Sequence, residues 1–149
     1  MEAVGGGTLI IESGVCNSGV LIANAGDLVI EGAATGKGTA TITGGRQLEF
    51  GAASATGVTF SGAAAGTLVL DASSTFTGKV SGFAASDFID LTDVNYSAAS
   101  LTYKANAAHT GGTLTVTEGA HTARVTLVGS YTQASFTIGY DGVSGTLIG

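Results

Sequence analysis

Five short apolar runs recur in the first ninety residues of this chain at an almost fixed interval. They are Thr8-Leu9-Ile10-Ile11-Glu12, Asp27-Leu28-Val29-Ile30-Glu31, Gln47-Leu48-Glu49-Phe50-Gly51, Thr67-Leu68-Val69-Leu70-Asp71 and Asp87-Phe88-Ile89-Asp90-Leu91. Their lead apolar residues, Leu9, Leu28, Leu48, Leu68 and Phe88, stand 19, 20, 20 and 20 residues apart. One coil of this length cannot bury its own apolar side chains. Coils stacked at about 4.8 Å pair their backbones and place like residues above one another. The interval therefore predicts an all-β fold, a parallel β-solenoid over residues 1–92. Second apolar stretches at Val20-Leu21-Ile22, Thr39-Ala40-Thr41-Ile42, Val58-Thr59-Phe60 and Phe76-Thr77-Gly78-Lys79-Val80 supply another face of each coil. No stretch keeps the 3.6-residue period of an amphipathic helix.

Alternation within each run gives the side chains two directions. Leu9/Ile11, Leu28/Ile30, Leu48/Phe50 and Leu68/Leu70 are expected to form two inward ladders. Ile10, Val29, Glu49, Val69 and Ile89 are then expected to point outward. That column is too apolar for a free surface, which makes Ile10, Val29, Val69 and Ile89 candidate interaction residues, covered by a partner, another copy or the C-terminal segment. The simpler alternative is that β-branched residues favour strands.

After about residue 95 the pattern changes. Thr113-Leu114-Thr115-Val116-Thr117 and Ala123-Arg124-Val125-Thr126-Leu127 alternate cleanly around Glu118-Gly119-Ala120-His121, the signature of an antiparallel hairpin. Residues 93–149 are expected to form an antiparallel β cap on the solenoid. No equivalent cap is visible at the N-terminal end, which leaves an edge where another copy could stack.

With 25 glycines, no proline and only 11% charged residues, the chain relies on Thr and Ser rather than charge for its outer surface, and at 44% hydrophobic residues it lies outside the range of disordered sequences. The formal net charge is -6, and the five bases, Lys37, Arg46, Lys79, Lys104 and Arg124, are scattered along the sequence. That distribution argues against nucleic acid or an anionic membrane as partner, and no apolar run approaches the roughly 20 residues that span a bilayer. The opening Met-Glu-Ala-Val-Gly-Gly-Gly has neither the basic nor the apolar region of a signal peptide. If the material is exported, the signal is expected elsewhere, the alternatives being a chain excerpted from a longer protein with an added Met and a C-terminal export signal. Cys16 is the only cysteine, so no intrachain disulfide forms. It is expected to be a small buried apolar residue.

The run from Gly66 to Phe83, the Ser86-Asp-Phe-Ile-Asp-Leu91 that follows, the segment Gly111 to Thr122 and Asp141 to Ile148 together resemble the C-terminal β-solenoid region of large secreted bacterial proteins, of the autotransporter-like and haemolysin-type (RTX-like) adhesin kind. The resemblance implies an extracellular or cell-surface module whose theme is adhesion, biofilm matrix or secretion. One departure matters: the calcium-binding nonapeptide is absent, because neither Gly5-Gly6-Gly7 nor Gly44-Gly45 is followed by Gly-x-Asp at the required spacing.

Candidate chemistry is sparse. Asp87, Asp90 and Asp93 lie three apart and form a weak calcium candidate, since hard cations take several oxygen ligands. A regular strand would, however, turn Asp87 and Asp90 to opposite faces. His109 and His121 have no Cys or His partner at zinc-site spacing. Glu12, Glu31, Glu49 and Asp71 recur about once per coil, but no base stands beside each of them. Paired Thr-x-Thr motifs do not recur at a fixed point in successive coils, so a flat threonine array of the ice-binding kind is not expected. The expected function is a non-enzymatic structural or adhesive module that self-associates end to end into filaments, with cell-surface or matrix polysaccharide as a further partner. The alternatives are a type I secretion and folding module assisted by calcium, and a carbohydrate-binding or carbohydrate-active β-helix.

Overall fold

A computed structural model describes all 149 residues. The chain forms a β-solenoid of three-sided coils. The first coil contains β1 (Glu2–Ala3), β2 (Thr8–Ile11) and β3 (Val15–Cys16), and the second β4 (Val20–Asn24), β5 (Asp27–Ile30) and β6 (Ala34–Thr35). The third contains β7 (Thr39–Thr43) and β8 (Gln47–Phe50), and the fourth β9 (Gly57–Phe60) and β10 (Thr67–Leu70). In these two coils the third side shrinks to single bridging residues, Ser54 and Phe76. β11 (Lys79–Ser81) and β12 (Phe88–Leu91) begin a fifth coil.

The ladders follow from alternation. Leu28, Ile30, Leu48, Phe50, Leu68 and Leu70 point inward and are almost completely buried. At roughly 1.5–3 kcal/mol for each large apolar side chain removed from water, these ladders dominate the folding free energy of the column.

The fifth run corrects the expected register. Leu68 pairs with Ile89 and Leu70 with Leu91, so the interval is 21 residues and not 20. Ile89 is inward and fully buried rather than outward. Asp90 takes the outward position beside Val69, and the half-buried Phe88 ring lies against Gly149. Two adjacent apolar residues, Phe88 and Ile89, leave the parity of the strand open, and a slip of one residue reverses every side chain. The corner before the strand decides it. Asp87 is buried there and accepts hydrogen bonds from the backbone N–H of Gly66 at 2.9 Å and of Ala84 at 2.9 Å.

The C-terminal strands extend the solenoid sheets and do not make a separate one. β13 (Ser100–Ala105), β14 (Gly111–Glu118) and β15 (His121–Val128) run antiparallel to one another, while β15 lies parallel on β11. β16 (Ile138–Tyr140) and β17 (Thr146–Ile148) add antiparallel to β12. The result is an eight-stranded sheet, a seven-stranded sheet and the two-stranded pair β3–β6. A single core of 27 buried residues runs from Ala3 to Ile148. Aromatic rings close its C-terminal end: Phe136 lies 5.1 Å from Tyr103 and 6.1 Å from Phe83 between ring centres, and the Tyr131 hydroxyl donates to the carbonyl of Phe83.

The two ends are unequal. At the C-terminal end, the Gln133 side chain accepts from the Tyr103 N–H at 2.6 Å and donates to the Leu101 carbonyl at 3.4 Å, which occupies the outer edge of β13. At the N-terminal end, the carbonyls of Gly7 and Ile11 accept from coil two. Alternation then turns the N–H and C=O of Thr8 and Ile10 to the open side. Leu9 is 37% exposed although its equivalent in the next coil, Leu28, is fully buried.

Candidate functional site

The outward column of the seven-stranded sheet is Ile10, Val29, Glu49, Val69 and Asp90 in register. Ile10 is exposed, Val29 half-buried and Val69 buried despite facing outward. The loop between β16 and β17 borders this end of the column. Together they form a groove of about 310 Å³ that contains Glu49, Val69, Asp71, Asp90, Asp141 and Val143. One residue beyond the strands, the ladder continues through Glu31, Gly51, Asp71 and Thr92. Glu12, Glu31 and Asp71 therefore share one corner, while Glu49 stands apart on the sheet face.

Four carboxyl groups gather in this groove, and no lysine or arginine lines it. Gln47 donates to Glu49 at 3.0 Å, Thr92 donates to Asp71 at 2.6 Å, and Asp141 accepts from the Val143 N–H at 2.8 Å. Asp90 has one carboxyl oxygen, Oδ1, buried without a hydrogen-bond partner. Burial, followed by the charges of Asp141, Asp71 and Glu49, pushes the Asp90 carboxyl up to about 6. Glu49 is raised as well, first by burial and then by Asp71. A carboxyl raised in this way holds its proton into mildly acidic solution and releases it toward neutral pH. Its neighbours in the groove are the further carboxyl groups of Glu49, Asp71 and Asp141, with no lysine or arginine among them to hold an acidic substrate.

The three aspartates of the calcium candidate are not brought together. Asp87 is fixed inside the corner on two backbone amides. Asp90 faces the groove. Asp93 accepts from the Ser73 N–H at 2.9 Å and lies 3.4 Å from His121 Nε2. No group of three acidic, His or Cys side chains converges as metal ligands would.

Ser73, His121 and Asp93 have the composition of a hydrolase triad but not its geometry. Ser73 Oγ, at 3.2 Å, and Asp93 Oδ2 both approach the same ring nitrogen, Nε2, whereas a triad places the acid on the other nitrogen. Ser73 is also fully buried. The cluster fastens the β14–β15 hairpin to the short 3-10 turn Ser73–Thr75. His109 is an exposed loop residue with φ 53°.

Two sequence expectations change here. Cys16 is exposed, because the very short β3 turns Asn17 inward, where its amide donates to the Thr39 carbonyl. The bases are also less scattered than they look in sequence. Lys79, Arg124 and Lys104 come together on β11, β15 and β13, adjacent regions of the eight-stranded sheet. Their sequence separation hides this, since only the docking of the C-terminal hairpin on β11 joins them. No family model, curated protein or solved structure matches the chain.

Proposed function

We propose that this chain is a non-enzymatic structural module of an exported bacterial surface protein, a rigid column with one adhesive end. The observation that supports this reading is the inequality of the ends. Gln133 and the aromatic cluster cover the C-terminal end, while the first coil keeps an exposed rung of the core and an unpaired edge. An uncovered edge of this kind is a template for another strand. With one adhesive end, association of the chain closes at a pair of copies related by a two-fold axis. Open filaments would need the cap to be displaced. Light scattering and negative-stain microscopy of the chain test the proposal. The expected result is a concentration-dependent pair about twice the length of one column, and a strict monomer at high concentration would sink it.

A further inference from the structure

The outer surface of the eight-stranded sheet differs in chemistry from the acidic groove on the other large sheet. Register aligns Lys79 with Thr126, Thr126 with Thr113, and Thr113 with Lys104, one continuous row across β11, β15, β14 and β13. The next row holds Arg124, Thr115 and Thr102. Three of the five bases of a chain with net charge -6 thus stand around a field of hydroxyls. None of them is neutralised, since the one ion pair in the structure joins His121 and Asp93. The one acid on the outer face of this sheet is Glu2, far away on β1, where Asn24 donates to it at 2.8 Å.

A hollow lies beside this row, in the neighbouring row of Ser81, Val128 and Gly111. Gly111 occupies an outward position opposite Val128 and brings no side chain there. A Cβ at this site would fall 2.5 Å from the Leu127 carbonyl oxygen, so the backbone requires glycine. The space left, about 320 Å³, is bordered by Lys79, Asn106, Thr110, Thr113, Thr126 and Val128. Lys79 places an ammonium at its rim, and the hydroxyls and the Asn106 amide supply neutral donors and acceptors around it.

We infer that this hollow and the row beside it bind an acidic polysaccharide, with an acid group of the sugar paired to Lys79 and the chain lying across the strands toward Lys104. The inference goes beyond the proposed scaffold function and does not depend on pairing of the first coil. Lys79 and Lys104 are three strand spacings apart, roughly 14 Å, the reach of a short stretch of polymer and not of a single small ion. The hydroxyls match the hydroxyls of a sugar, and the shallow open form suits a chain more than an enclosed small molecule. Nucleic acid fits less well, because this surface has no exposed aromatic ring on which bases could stack. The hydroxyl field is too interrupted, by Lys79, Arg124 and Val128, to serve as a regular lattice.

The test is affinity electrophoresis of the full chain in gels containing polygalacturonate, dextran, or single-stranded DNA of matched charge. Lys79→Gln and the double variant Lys79→Gln/Lys104→Gln are run alongside, and thermal melts check that each variant is folded. Both lysines are surface residues without ion-pair partners, so the fold is expected to persist. The expected result is retardation by polygalacturonate alone, weakened about tenfold in the double variant, with a smaller loss in Lys79→Gln, and abolished by high salt. Absence of retardation, or unchanged retardation in the double variant, would overturn the site. Equal binding of dextran would overturn the role of the acid group. Equal binding of DNA would overturn the sugar as ligand.

Discussion

Asp90 and Ile89 are neighbours with opposite surroundings, and each gives a residue-scale prediction. The Asp90 carboxyl is raised to about 6 from the ordinary 3.8. Between those values the folded chain holds a proton that the unfolded chain has released. Stability is therefore fully present below about pH 4 and falls as pH rises through about 6. Because the group is half exposed, solvent screening reduces the effect to roughly 1 kcal/mol. Asp90→Asn is expected to raise the melting temperature at pH 7 and to flatten its decline between those pH values, as calorimetry across the range would show. Ile89→Ala removes a fully buried side chain from the inward ladder and is expected to cost about 2–5 kcal/mol. Ile10→Ala, on the exposed end of the outward column, is expected to stay within about 0.5 kcal/mol. Chemical denaturation of the two variants compares them directly, and equal losses would contradict the register.

At the scale of elements, much of the fold was legible. Apolar runs near 20-residue spacing gave the parallel ladders, and strict alternation gave the β14–β15 hairpin. The register of β12 was not legible, because it depends on Asp87 binding two backbone amides across a corner. Nor was the joining of the hairpin to β11. That contact depends on a tertiary fit involving Ser73, His121 and Asp93 from distant parts of the chain, and no periodicity encodes it. The acidic groove was half legible: the recurrence of Glu49 and Asp71 was visible, but Asp141 reaches it only through the β16–β17 loop. The edge of β13 offers a further prediction. Gln133→Ala frees the Tyr103 N–H and the Leu101 carbonyl, at a cost of about 1 kcal/mol. Hydrogen exchange at the Tyr103 amide is expected to speed up, while exchange at amides of the buried ladders in coils two and three is unchanged.

For the whole molecule, the arrangement separates three properties that the sequence mixes. Acids gather on one large sheet, unpaired bases and hydroxyls on the other, and exposed core at the first coil. Ile10→Lys places a charge at the centre of that coil's open edge. Edge lysines oppose strand pairing, so the variant is expected to stay monomeric by light scattering at concentrations where the parent chain pairs, with little change in its melt. The core is also graded along its length. Of the inward alanines Ala3, Ala23, Ala34 and Ala40 come early and Ala123 alone lies late, whereas all six phenylalanines begin at Phe50. From the second coil onward the corner joining the two large sheets lengthens toward the cap, from 25–26 to 44–46 and then to the equal spans 61–66 and 82–87, while the first coil's corner, 4–7, departs from the trend. From its second coil the column is consequently tapered, slender there and broad beneath its cap. Its coils are not interchangeable bricks: lengthening the column by duplication would suit the slender end, where neighbouring cross-sections nearly match, and would leave a step if attempted beside the cap.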